Sequence, residues 1–167
     1  MIMEKTTVAN RMHSLLILYD MHTTYFSNVL DGITDDDAHK RLNTKANHIM
    51  WLTGSLVQQR CELVGTLGKE YKQKADELFK NNQGIQDNIK YPSLSDFKKD
   101  WENISPVLRE ALKTIDDEKL ENTFEMMPGM TMSYFDLIVF TTYREANCIG
   151  QIALWRRLLD YEAMKYM

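Results

Sequence analysis

Residues 143–159 read Tyr143-Arg144-Glu145-Ala146-Asn147-Cys148-Ile149-Gly150-Gln151-Ile152-Ala153-Leu154-Trp155-Arg156-Arg157-Leu158-Leu159, and the run around them, Ser133 to Tyr161, decides the fold. Ser133 with Asp136 three residues on is a helix start signal: hydroxyl and carboxylate satisfy backbone N–H groups that the first turn leaves unpaired. At about 100° per residue, Leu137, Thr141, Arg144, Cys148, Ile152, Trp155 and Leu159 fall on one narrow stripe. Arg144 and Cys148 should therefore face inward. The flanks carry Phe135, Val139, Phe140, Tyr143, Ala146, Ile149 and Leu154, and a helix apolar nearly all round is expected to be central, buried on several sides.

Composition bounds the rest of the molecule. A chain of 167 residues with 44% hydrophobic content, 7 Gly and 3 Pro can bury a core but lacks the punctuation of all-β folds, so one all-α domain over 1–167 is expected. A net charge of -4 argues against nucleic acid or an anionic membrane as partner, since phosphate binding needs a concentrated Lys/Arg field. The N-terminal region shows no signal-peptide pattern and the longest early apolar run, Leu15 to Leu18, is far short of a membrane span, which predicts a cytoplasmic protein. Cys61 and Cys148 form no close-spaced pair.

From the N-terminus, Val8, Met12, Leu15, Tyr19, His22, Phe26 and Val29 step by four and three, predicting a helix from about Thr7 to Leu30. Tyr19 and His22 lie one turn apart on its buried side, either hydrogen-bonded within the core or lining a cavity. Thr34-Asp35-Asp36-Asp37 starts a short turn. Asn43 to Asn47 opens helix two, with His48, Leu52, Ser55, Gln59 and Glu62 on one side and Gly54 admitting a close neighbour. Periodicity fails from Gly65 to Pro92, which predicts a long crossover loop with a single turn near Asp76 to Phe79. Ser93 to Asp96 starts helix three, whose stripe runs Leu94, Phe97, Trp101, Ile104, Leu108, Leu112, Ile115, and Pro106 is expected to kink it or mark a joint. After a turn at Asp116 to Leu120, Asn122 to Thr131 reads as an extended approach to helix four. Two helical hairpins, each a long helix, an acidic turn, a loop and a helix, close into a four-helix bundle.

Asn47-His48-Ile49-Met50-Trp51-Leu52-Thr53-Gly54-Ser55-Leu56 resembles the helix-two signature of the DinB/YfiT-like superfamily, and Cys148-Ile149-Gly150-Gln151-Ile152 with Trp155-Arg156-Arg157 resembles its helix-four signature; Tyr91-Pro92-Ser93-Leu94 fits its approach to helix three. The resemblance implies a four-helix bundle, commonly a homodimer, with a divalent metal on three histidines and thiol-dependent transferases and isomerases among its relatives. The positions that match those ligands are Ser55, Arg144 and Cys148. None is histidine. Arg144 has no lone pair to give and carries a permanent positive charge, so a degenerate site with no metal and no other cofactor is expected. His22 and His48 with Cys148 are the remaining substitute ligands.

The expected pocket is formed by Ser55, Arg144 and Cys148, with Tyr19, His22, His48 and Gln151 lining it. Arg144, inward on an apolar stripe, needs a partner: an internal acid such as Glu145 or Glu62, a carbonyl, or an anionic ligand held by the guanidinium fork. Two alternative functions are open. One is a metal-free DinB-like protein that binds a small, anionic ligand or acts through its dimer. The other is a thiol-linked transferase or hydrolase using Cys148 and Arg144, or a relocated divalent metal.

Overall fold

The computed structural model describes the backbone of residues 7–167 and side chains from Arg11 onward, so Val8 of the first seam lies outside the described side chains. The long α1 (Thr7–Val29) buries Met12, Tyr19, His22, Phe26 and Val29, as the four-three spacing predicts. A short α2 (Asp35–Ala38) is capped by the Thr34 hydroxyl, which accepts from Asp37 N at 3.1 Å. Then α3 (Ile49–Thr66) and α5 (Leu94–Thr114) are joined through α4 (Asp76–Phe79) and a 3-10 turn (Lys80–Asn82). The helix α5 runs through Pro106 without interruption, the proline ring lying on its exposed side. A one-turn α6 (Asp117–Glu121) leads into strands β1 (Thr123–Met127) and β2 (Met130–Ser133), and α7 (Tyr134–Leu158) closes the chain. The described residues thus form a mostly helical molecule with one two-stranded antiparallel sheet.

Four long helices hold the core. The helices α1 and α5, α5 and α3, α3 and α7, and α7 and α1 are in contact. Both long C-terminal helices begin with complete capping boxes, Ser93 with Asp96 and Ser133 with Asp136. The segment that reads as an extended approach is a β-hairpin, pairing Phe124 with Met132 and Met127 with Met130 around Pro128-Gly129, with a bulge between Glu125 and Met127.

The expectation that the last helix is central needs correction. Its stripe does turn inward, with Thr141, Cys148, Ile152 and Trp155 buried, but Val139, Phe140, Tyr143, Leu154 and Leu158 are exposed. The buried helix is α3, where 14 of 18 residues are covered. Its third side is closed by the segment 67–93, which lacks any helical period and yet packs as part of the core. Gln73, Ala75, Phe79 and Tyr91 of that segment are all buried. Gly54 explains how it fits: a Cβ there would stand 2.2 Å from Cζ of Phe79 and 2.7 Å from Cζ of Phe97. The Gln73 amide then donates to Gly54 O at 3.1 Å and to Gln58 Oε1 at 2.7 Å, tying the segment to the buried side of α3.

At the other end, Arg156 is buried and donates to Val29 O and Asp31 O, carbonyls at and just past the end of α1, and to Glu162 O of the C-terminal segment. The Tyr161 hydroxyl bonds Asp37 beside it. No helix among the described residues is long and apolar enough to cross a membrane.

Candidate functional site

Arg144 leaves α7 toward α3, and its two terminal nitrogens find neutral partners: Nη1 donates to Gln59 Oε1 at 2.9 Å and Nη2 to Ser55 Oγ at 2.6 Å. Gln59 is itself fixed, its amide donating to Thr141 O at 3.0 Å, so the acceptor that holds the guanidinium is oriented by the same helix that carries it. The acids expected as partners are engaged elsewhere. Glu145 turns to Arg60, and Glu62 accepts from Gln58 Nε2 at 3.0 Å. Arg144 makes no ion pair with any described carboxylate.

The Arg144–Ser55–Gln59 group stands in the wall of a cavity of about 460 Å³ between α3, α7 and the β-hairpin. From α3 come Trp51, Ser55, Gln59 and Glu62; from α7, Leu137, Phe140 and Arg144. The hairpin adds Phe124, Met126 and Met127, and Phe79 closes one side. One guanidinium, a few amides and hydroxyls and a majority of apolar wall is the composition of a small-molecule site.

Of the expected site residues, Ser55 and Arg144 meet there and the rest do not. Cys148 lies on the same helix face but does not line the cavity and is only 5% exposed. Burial pushes its thiol up, the Arg144 charge pulls against this and Glu145 adds to it, and the net direction is upward, away from thiolate. Tyr19 and His22 are core residues, not cavity lining. The Tyr19 hydroxyl donates to Ser105 O at 2.7 Å, and His22 Nδ1 pairs with Glu145 Oε2 at 3.2 Å. His48 is the N-cap of α3, its Nδ1 accepting from Trp51 N at 3.0 Å, and packs against His39 and Tyr91. Gln151 is exposed and donates to Asn147 Oδ1, because α7 buries only one face.

What draws Tyr19 and His22 inward is a residue the stripes did not single out. Arg60, fully buried on α3, donates through Nε to Glu145 Oε1 at 2.6 Å and through Nη2 to Oε2 at 3.0 Å. Its Nη1 reaches Tyr19, Thr23 and Ser105, and its plane lies 3.5 Å from the Trp101 ring centroid and 4.0 Å from that of Tyr19. Burial alone would raise the Glu145 carboxyl, but Arg60 and His22 hold it below the usual range. Burial likewise pushes Tyr19 up to about 12. Every member is satisfied, which is the condition for a buried charge pair to be tolerated. No signal short of knowing that α3 is buried all round would have marked Arg60 as internal.

The three-histidine site of the resembled family does not fit this donor set. Ser55 accepts from Arg144, which has no lone pair to give, and among the described residues no three His, Cys, Asp or Glu side chains come together as a metal would need.

No family model matches the chain, and no curated protein matches it. Among solved structures it is similar to a conserved protein from Enterococcus faecalis, at 13% identity and a TM-score of 0.68, over 94% of this chain and 98% of that one. At that identity the likeness speaks for the fold.

Proposed function

We propose that this chain is a DinB-like four-helix bundle whose cavity binds a small anionic ligand through Arg144, in place of the metal chemistry of the family it resembles. The observation that carries this is a guanidinium in a cavity wall whose partners among the described residues, Ser55 and Gln59, are neutral. Hydrogen bonds to neutral acceptors orient the fork but leave its charge uncompensated, so an entering carboxylate or similar anion gains a charge-assisted contact at little ordering cost. Simple anions such as acetate should raise the melting temperature of the protein by binding the folded state. Arg144→Met keeps much of the apolar stem and removes the charge, and should abolish the shift. Equal stabilisation of both proteins would reduce Arg144 to a structural tie between α3 and α7.

The same reading takes the protein to be a cytoplasmic homodimer. Tyr143 and Leu154 are 65% and 60% exposed on α7, and between them Gly150 leaves open space where a Cβ would stand. Such a strip suits close approach of a second copy of the helix.

A further inference from the structure

The cavity is ordered along its length, and the ligand class that this order selects rests on Arg144 being an anion contact. Trp51, Ser55, Gln59 and Glu62 succeed one another on one face of α3 at helical spacing. Ser55 and Gln59 hold the guanidinium. One turn before them, the Trp51 indole N–H is buried without an acceptor among the described residues. The other two indoles are satisfied, Trp101 by Thr23 O at 3.2 Å and Trp155 by Asn47 O at 2.9 Å. With its Nε1 closed to the cavity, Trp51 contributes ring surface rather than a donor to the wall. On the far side of Gln59, Glu62 sets a negative charge at the rim. Opposite this polar row the wall is apolar: Phe140 from α7, and Phe124, Met126 and Met127 from β1. Met126 and Met127 are 42% and 50% exposed at the bulge of the hairpin, and their unbranched thioethers re-pack around apolar bodies of different shape.

We infer that the cavity takes an amphipathic monocarboxylate: the carboxylate lies on Arg144 and an apolar body lies under the methionines of the hairpin. A single guanidinium with Glu62 at the rim suits one negative charge and disfavours a phosphate dianion. The apolar wall requires more than the head group.

The test uses acetate, hexanoate, octanoate, octan-1-ol and octyl phosphate with the whole protein. Affinity should rise from acetate to octanoate by up to about fourfold per buried methylene. Octanoate should bind more tightly than octanol or octyl phosphate. In a ¹⁵N spectrum the Trp51 indole resonance, assigned through Trp51→Phe, should move with octanoate while those of Trp101 and Trp155 stay. Arg144→Met should erase the preference for octanoate over octanol yet keep binding of the alkyl chain. The exposed pair Met126→Ala with Met127→Ala should weaken octanoate and leave acetate unchanged. If acetate and octanoate bind alike, the apolar body is wrong and the anion contact survives. If octanoate and octanol bind alike to both wild type and Arg144→Met, the anion contact itself is wrong. Octyl phosphate binding as tightly as octanoate, or a Trp51 resonance unmoved by every probe, also overturns the inference.

Discussion

Three arginines of this chain point inward, and the surroundings meet each differently. Among the described residues, Arg60 has a carboxylate and two ring faces, Arg156 has backbone carbonyls, two of them at the end of α1, and Arg144 has an amide oxygen and a hydroxyl. Neither Arg156 nor Arg144 pairs with a described carboxylate, but of the three Arg144 is the one in the cavity wall, and that position rather than its burial identifies it. His48 shows the same dependence on surroundings. Burial first, and His39 next, push its ring down to about 4 from an ordinary 6.5, and the neutral ring accepts the Trp51 N–H. Because the folded value lies below the unfolded one, its contribution is complete above pH 6.5 and is lost as pH falls toward 4. Urea midpoints of wild type and His48→Asn, which keeps a capping acceptor, should therefore converge with acidification through that window. Parallel profiles would remove His48 from the acid response. Arg144 was legible in the sequence because it interrupts an apolar stripe; Arg60 was not, because α3 has no polar face against which an inward charge would stand out.

At the scale of elements, local chemistry was readable and long-range cover was not. The capping boxes at Ser93 and Ser133 are satisfied within one turn, so three residues suffice to foresee them. The hairpin escaped because Glu125 and the methionines are weak strand formers, and Pro128-Gly129 alone signals only a turn. Segment 67–93 escaped for a different reason. It is held by Gln73 and Phe79 reaching residues some twenty positions away, which leaves no period in the chain. Gly54 is the socket for that cover. Gly54→Ala gains helix propensity but drives a Cβ into Phe79, and the net loss should be about 1–3 kcal/mol by urea unfolding. Adding Phe79→Leu should recover part of it. A Gly54→Ala protein at least as stable as wild type would show that the segment rides loosely on α3.

Taken whole, the molecule hides one helix and leaves another half bare. The exposed apolar side of α7 is the reason to expect a dimer, and light scattering should give twice the chain mass over a broad concentration range. Tyr143→Lys with Leu154→Lys should return the monomer without loss of helicity, since both side chains stand clear of the core. A monomer mass for wild type at every concentration would leave that face unexplained. The junction of Arg156 with the end of α1 has a consequence of another kind. Its bonds to Val29 and Asp31 span 127 and 125 residues, and that of Tyr161 to Asp37 spans 124. During synthesis, the carbonyls at the end of α1 meet these donors only after the 125 to 127 residues that separate them have been made. Closing this junction is therefore a late, long-range step of folding.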